Sequence, residues 1–439
     1  MNRTSYQFQP ESISEFKTQL LFWAQQYKTA IWLDSNNYQQ KHSNFDAALA
    51  VDAISEIETD YNNAFNKLKE FQTNVNDFIF GYLSYDLKND IENLQSNNFD
   101  GLHFPDLYFF QPKKLFFIKG STVEIKYLTK FSSEIEKDLK EIRAVKSKNQ
   151  LSKKIHKRVG EPLKIKLRIH KDAYFKKINS VLNHIHRGDI YEANFCQEFY
   201  CENATINPVE VYQHLNKISK PPFATFLKLE DKFLLSASPE RYIKKEGTTV
   251  ISQPIKGTAK RAASAKEDLN LISELEKNQK ERAENIMIVD LVRNDLSRSA
   301  IRGSVKVDEL CKVYTFEQVH QLISTISCKV NANVHPVDIL KNTFPMGSMT
   351  GAPKISALKI IEGLEVTKRG LYSGAVGYIA PNGDLDFNVI IRSILYNASE
   401  KYVSYSVGGA ITAQSIPEKE YEECLLKAQA MKQVLLNTN

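Results

Sequence analysis

Residues 371–380 and 385–396 form two strongly apolar runs separated by Pro381-Asn382-Gly383-Asp384. An Asn-Gly pair framed by Pro and Asp supplies the backbone angles of a tight hairpin, so the two runs are predicted to be antiparallel neighbours. Helical segments surround this hairpin. Tyr174, Ile178, Val181, Leu182 and Ile185 fall at helical spacing, and Arg187-Gly188 is a stop signal. Residues 269–298 alternate apolar and charged positions with a period near four and read as one or two helices. Ser415-Ile416-Pro417-Glu418 reads as a capping box with an early proline, opening a helix whose apolar stripe is Tyr421, Leu425, Ala428, Met431 and Leu435. Strands and helices mix without regular alternation. That predicts an α+β fold with large antiparallel sheets, not a doubly wound parallel one.

A chain of 439 residues, 42% hydrophobic and 25% charged, has ample length for a large core. No apolar run approaches the roughly 18 residues of a membrane span, and the start MNRTSYQFQPESIS lacks a signal-peptide core, so a cytoplasmic location is expected. The five cysteines are scattered without a CxxC pair, which indicates neither a disulfide framework nor a zinc site. The net charge of +6 suits a solvated basic surface or a small acidic substrate. Segment 146–166, KSKNQLSKKIHKRVGEPLKIK, is read as a basic linker between an N-terminal region, 1–145, and a longer region, 167–439. No aromatic residues interleave its charges, so a nucleic-acid-binding tail is not indicated.

Two Glu-x-x-Glu pairs stand out, Glu281 with Glu284 and Glu420 with Glu423, each on one face of a predicted helix. Four carboxylates from two helices can hold Mg2+, which takes one or two directly and keeps several waters; the same spacing also suits plain helix surface. Segment 345–354, PMGSMTGAPK, is a turn containing Ser348 and Gly351 that enters a helix with proline in its first turn. Free amides there favour an anion, and an ordinary tight turn reads the same way. Arg392 interrupts the apolar strand FNVIIRS (387–393), and an arginine in a cleft needs a carboxylate from the protein or from a ligand. Gly408-Gly409 permits close backbone approach to a ligand, or a bulge. Lys256, in QPIKGT, is inert if exposed and a nucleophile if buried with a lowered pKa. Glu240, in SASPER, is either a turn residue or a general acid with a raised pKa.

Together and in this order, seven segments resemble the chorismate-binding enzyme family. They are GDIYEANFCQEF (188–199), SASPERY (236–242), PIKGTAKR (254–261), ERAENIMIVDLVRNDLSR (281–298), GSMTGAPKISALKIIEGLE (347–365), YSGAVGYIAPNGDLDFNVIIRSI (372–394) and GGAITAQSIPEKEYEECLLKA (408–428). IWLDSNN (31–37) is similar to the family's effector-site strand, and FGYLSYDL (80–87) to its GxxxYDL segment. The resemblance implies the anthranilate synthase component I-like fold, with large antiparallel sheets packed as a sandwich and helices outside. It also implies Glu284 and Glu423 as direct Mg2+ ligands and Glu281 and Glu420 acting through water, with the metal holding the ring carboxylate of chorismate. Tyr372, Arg392 and the Gly408-Gly409 backbone are implied to grip the enolpyruvyl carboxylate, with Ser348 and Gly351 beside the substrate. Glu240 is implied to protonate the departing 4-hydroxyl.

Lys256 separates the branches of this family. PIKGT resembles the aminodeoxychorismate synthases, in which the lysine adds at ring carbon 2 and ammonia then enters at carbon 4; the anthranilate synthases resemble PIAGT. The resemblance thus implies amination of chorismate for 4-aminobenzoate and folate synthesis, with ammonia from a glutamine amidotransferase subunit in a heterodimer, because no glutaminase triad is recognisable here. Anthranilate synthase component I is the alternative. Three positions depart from the family pattern. Gln321 stands where many relatives carry histidine, Thr258-Ala-Lys-Arg261 replaces TRPR, and Asp34 differs from the LLES pattern of tryptophan-inhibited enzymes. Burial is expected to lower the Lys256 pKa.

Overall fold

A computed structural model describes residues 2–38, 41–145 and 163–437. Most of the basic segment therefore lies outside the described residues. Strands from both sides of it pair directly: Thr29–Asp34 runs beside Phe223–Leu229, and Ile79–Leu83 beside Ala375–Ile379. The strand ladders are antiparallel throughout, from the long Ala47–Thr59/Leu107–Lys119 pair to Glu192–Cys201/Tyr402–Thr412.

The two-residue period of the strands explains the layering. Ile31, Ala50, Leu227, Leu234 and Tyr402 point into one central apolar cluster, which Phe80, Tyr82, Tyr108, Val376 and Tyr378 enter from other strands. The alternating residues of the first group, such as Trp32, Leu49, Phe226, Leu235 and Val403, pack instead under the helices Ile13–Trp23, Pro208–Ser219 and Pro417–Asn437. Those of the second group, such as Ile79, Leu83, Phe109, Ala375 and Ile379, pack under Ala64–Val75, Gln279–Ser297 and Pro336–Thr343. The result is the expected α+β sandwich, helices outside and aromatic side chains between the sheets.

Local readings hold with three corrections. The helix Lys171–Arg187 ends on Gly188, whose φ of 87° explains the glycine. Residues 269–298 form two helices, Ala265–Lys277 and Gln279–Ser297, joined at Asn278, whose side chain accepts the Glu281 amide. The hairpin at 381–384 joins Ala375–Ile379 to Leu385–Val389. The second run does not continue to Tyr396, however. It breaks at Arg392, whose φ is 53°, and restarts as Ser393–Asn397. Ser415 does not form the expected capping box, because its hydroxyl donates to Glu420 instead, at 2.7 Å. The buried stripe of the last helix carries Cys424 in place of Leu425, which is 41% exposed. Among the described residues no helix is long and apolar enough to cross a membrane.

Candidate active site

Lys256 owes its position to an irregular strand. Ile255–Lys260 pairs with Val319–Lys329, but the register slips between Ile255 and Thr258. Such a bulge re-aims the side chains within it. Gly257 completes it with a φ of 95°, and a Cβ there would come within 3.1 Å of the Glu281 carboxylate. A larger residue would push the strand off the helix Gln279–Ser297. The Lys256 carbonyl in turn accepts from Asn285 of that helix at 3.4 Å.

The Lys256 ammonium is nearly buried and donates to Glu192 Oε1 at 3.1 Å. The expectation of a lowered pKa is overturned. Burial does push the ammonium down, but the charges of Glu192 and Glu284 together outweigh it, and the group sits above the ordinary lysine range.

Glu240 follows the strand Lys232–Ser238 and is 3% exposed. Its carboxyl accepts the Ser348 hydroxyl at 2.6 Å. Burial pushes it up to about 7, while the Ser348 hydrogen bond and the Lys256 charge pull the other way. A carboxyl poised there can hold a proton at neutral pH and give it up. Ser348 belongs to the tight turn Gly347–Met349, pressed against Leu291 of the carboxylate helix. The chain then runs flat against the strand Glu192–Cys201, where a Cβ on Gly351 would fall 2.1 Å from the Glu192 carbonyl. The helix itself begins only at Lys354, so Gly351 is a close-approach residue and not the helix start.

Gly408 and Gly409 lie on Tyr402–Thr412, opposite Cys196 and Phe195. A Cβ on Gly408 would strike the Cys196 sulfur at 2.5 Å, whereas one on Gly409 would meet only Glu420 Oε2 at 3.5 Å. The backbone at Gly409 is therefore open toward the last helix. Tyr372 is buried, its hydroxyl 3.9 Å from the Cys196 sulfur. Arg392 donates to the Lys427 carbonyl at 3.3 Å. Among the described residues no carboxylate lies within ion-pair distance of Arg392, so its guanidinium is met there by a carbonyl and by no counter-charge.

The two Glu-x-x-Glu pairs converge: burial, joined by the charge of Glu423, pushes the Glu281 carboxyl up, and Lys280 lies within ion-pair distance of both Glu284 and Glu420. Burial pushes Glu284 up to about 7, opposed by Lys256 and Lys280 and reinforced by Glu192 and Glu281. Its Oε1 is buried without a hydrogen-bond partner. Among the described residues, no three metal-ligating side chains stand close enough to form a ready cage. Lysines occupy the space between them: Lys280 lies 3.7 Å from Glu284 and 3.9 Å from Glu420, and Lys427 holds Glu423 at 2.6 Å. Glu423 alone of the four has its carboxyl held below the usual range, because Lys427 outweighs its burial. An oxygen-only donor set, one of whose buried oxygens makes no hydrogen bond among the described residues, fits a hard divalent cation.

Sequence reasoning missed Glu192, Lys280 and Lys427. The two lysines carried a signal, since each stands four residues from a glutamate of the pairs, where opposite charges meet on a helix. Glu192 sat inside a quoted motif as a charged residue opening an apolar strand.

Residues 14–433 match the chorismate binding enzyme profile. The chain belongs to the chorismate binding enzyme family. This family member is 36% identical over 352 residues to an anthranilate synthase component I-like protein of Synechocystis, covering 80% of this chain and 71% of the relative. It is 32% identical over 396 residues to aminodeoxychorismate synthase component 1 of Bacillus subtilis, covering 86% and 80%. The crystal structure of anthranilate synthase component I from Streptococcus pneumoniae superimposes with a TM-score of 0.74 at 26% identity, covering 90% of this chain and 93% of that one.

Proposed function

We propose that this chain aminates chorismate to 4-amino-4-deoxychorismate, with Mg2+ as cofactor and ammonia delivered by a separate glutamine amidotransferase subunit. The observation that carries the reading is Lys256, an almost buried primary amine sharing one pocket with a protonatable Glu240 and the carboxylate helices. Kinship with an aminodeoxychorismate synthase over most of both chains supports it. Glu284 and Glu423 would hold the metal directly, with Glu281 and Glu420 supporting it from behind. When bound, Mg2+ neutralises the ring carboxylate and polarises the ring. Arg392, the Tyr372 hydroxyl and the Gly408-Gly409 backbone hold the enolpyruvyl carboxylate, which supplies the anion that Arg392 lacks.

Glu240 gives its proton to the departing 4-hydroxyl, which leaves as water while the Lys256 amine bonds to ring carbon 2. Ammonia then bonds to carbon 4, and the carbon 2–lysine bond breaks. Two displacements place the amine para; direct attack at carbon 2 places it ortho.

The anthranilate synthase relatives favour a second reading, in which ammonia enters at carbon 2 and pyruvate is lost. Gln321 weighs against it: it is buried beside Thr258, its side-chain oxygen has no hydrogen-bond partner among the described residues, and it cannot act as the acid–base that a histidine there could be. The test is product identity. The purified chain, given chorismate, Mg2+ and ammonium at alkaline pH, is expected to yield 4-amino-4-deoxychorismate on chromatography, and anthranilate as the main product overturns the reading. Glutamine in place of ammonium is expected to give no turnover without the partner subunit.

A further inference from the structure

A lysine nucleophile must reach the ring as the free amine, yet Lys256 sits 3.1 Å from the Glu192 carboxylate, a pairing that favours the ammonium. Something beside it must take a proton, and the groups that face it are few. Glu192 reaches it from the strand Glu192–Cys201, Glu284 and Glu281 from the helix Gln279–Ser297, Glu423 from the last helix, and Glu240 from beyond Ser238. Among the described residues only Glu192 is in side-chain hydrogen-bond contact, at 3.1 Å.

We propose that Glu192 is the proton acceptor for the nucleophile: it takes a proton from the Lys256 ammonium, keeps it while the lysine is bonded to the ring, and returns it when the lysine leaves. This rests on the amination chemistry proposed above. The protons balance across the cycle. The Lys256 ammonium gives H+ to the Glu192 carboxylate. The neutral amine bonds to carbon 2 as its lone pair is donated, the ring double bond shifts, and the carbon 4–oxygen bond breaks with the Glu240 proton, releasing water. Ammonia bonds to carbon 4, and the electron pair of the carbon 2–nitrogen bond returns to the lysine as the neutral amine. That amine recovers its proton from Glu192, and the new ammonium at carbon 4 reprotonates Glu240.

One observation makes this role possible and two favour it over a structural ion pair. Glu192 is fully buried, and its Oε2 has no hydrogen-bond partner among the described residues. That oxygen is open to a proton, a feature shared by Asp295, whose Oδ1 is likewise buried without a hydrogen-bond partner among the described residues. The backbone of Glu192 is clamped from both sides, paired with Thr412 and with Ala352, and Gly351 touches its carbonyl more closely than any side chain would allow. The backbone that carries the carboxylate is thus fixed, and the Lys256 contact sets the direction of its Oε1. Finally, another buried lysine shows what a structural pair looks like. Lys354 donates to Asp295 at 2.6 Å and also to the Thr343 and Pro345 carbonyls, a saturated ammonium. Lys256 has Glu192 as its one side-chain hydrogen bond among the described residues, which leaves its other N–H directions turned to the pocket.

Glu192→Gln keeps the shape and a hydrogen bond but cannot accept a proton. With Mg2+, saturating chorismate and constant free ammonia, kcat is expected to fall by about 10²-fold, within the range of general-base contributions, with the chorismate KM unchanged. On the acid side of the Glu240 ionisation, wild-type kcat is expected to be level, whereas log kcat of the variant climbs with unit slope as solvent must now deprotonate the lysine. A purely structural role lowers kcat without changing that slope. Wild-type kcat and wild-type slope in Glu192→Gln overturn the assignment while the para product of the wild type leaves the amination reading standing; absence of para product from the wild type overturns both. If Glu192→Gln does not fold, Glu192→Asp carries the test. The shorter carboxylate is expected to keep the level profile at reduced kcat, and a unit slope in that variant refutes proton storage at position 192.

Discussion

Two polar pockets in this molecule treat their charges in opposite ways. At the pocket lined by Asp34, Arg241 and Asp386, the charges answer one another: Lys17 holds Asp34 at 3.0 Å, and Arg241 reaches Asp386 at 3.0 Å and Gln253 at 2.7 Å. At the candidate active site, among the described residues, Arg392 has no carboxylate within ion-pair distance, Glu192 and Glu284 each keep a buried oxygen without a hydrogen bond, and four glutamates crowd together around two lysines. The first arrangement is finished as it stands. The second is complete only when an anion meets Arg392 and a cation meets the carboxylates. Unpaired buried charge is costly, so its concentration in one place marks where a ligand must supply the missing half.

The sharpest way to test that contrast is to remove a charge from the crowded side. Glu284→Gln or Glu423→Gln is expected to abolish Mg2+-dependent turnover, whereas the same change at Glu281 or Glu420 costs about 10–100-fold, the usual scale for groups acting behind a direct ligand. Stability should move the other way for Glu284. Its carboxyl is raised to about 7 in the fold, so stability present below the ordinary carboxylate pKa is lost as pH rises through about 7. Glu284→Gln escapes that loss, so without Mg2+ at mildly alkaline pH its melting temperature is expected to exceed that of the wild type. Full activity in Glu423→Gln sinks the metal assignment.

Lys256→Ala comes next. Its kcat for the para product is expected to drop by roughly 10³-fold or more, as when a nucleophile working within a coupled unit is lost. Chorismate affinity should survive, because the carboxylate-binding groups remain. Some ortho product is expected from the opened pocket, read by chromatography. A para product formed at the wild-type rate refutes the covalent role.

The comparison itself breaks or stands on a matched pair. Asp386→Asn strips Arg241 of its counter-charge and is expected to cost about 3 kcal/mol in denaturant unfolding, with kcat and KM of the folded enzyme unchanged. Arg392→Gln should do the reverse. No buried counter-charge is orphaned, only the long hydrogen bond to the Lys427 carbonyl is lost, so stability is expected to change little, while the chorismate KM rises by about 10–100-fold through loss of a charge-assisted contact. If Arg392→Gln destabilises as much as Asp386→Asn, the two pockets do not differ in kind.

Legibility followed the same division. The sandwich, the 381–384 hairpin and the helix ending at Gly188 were readable because local propensity and apolar period agree there. The family motifs led to Glu240, Lys256 and the four glutamates. Three things stayed hidden because they depend on partners far along the chain. The strand containing Arg392 reads as continuous, yet tertiary contacts turn it to positive φ. Ser415 fits a capping box, yet the buried Glu420 takes its hydroxyl. The direction of the Lys256 shift depends on Glu192, 64 residues earlier, which no local pattern links to it.

The smallest effect tests the proton donor. Glu240 must carry a proton to release the 4-hydroxyl, and burial sets its pKa at about 7. At constant free ammonia, kcat/KM is therefore expected to hold below about pH 7 and decline as pH rises past it. The Ser348 hydroxyl donates to Glu240 at 2.6 Å, which favours the ionised form and pulls that pKa down. Ser348→Ala removes the donor, so the protonated form should persist to higher pH. A hydrogen bond with a net worth of about 0.5–1.5 kcal/mol corresponds to a shift of roughly 0.4–1 pH unit. The descending limb should move upward by that amount, with little change in rate well below it. A downward move contradicts the hydrogen bond's sign. A limb that stays in place shows that some group other than Glu240 sets it, and the role of acid at carbon 4 then passes to another residue of the pocket.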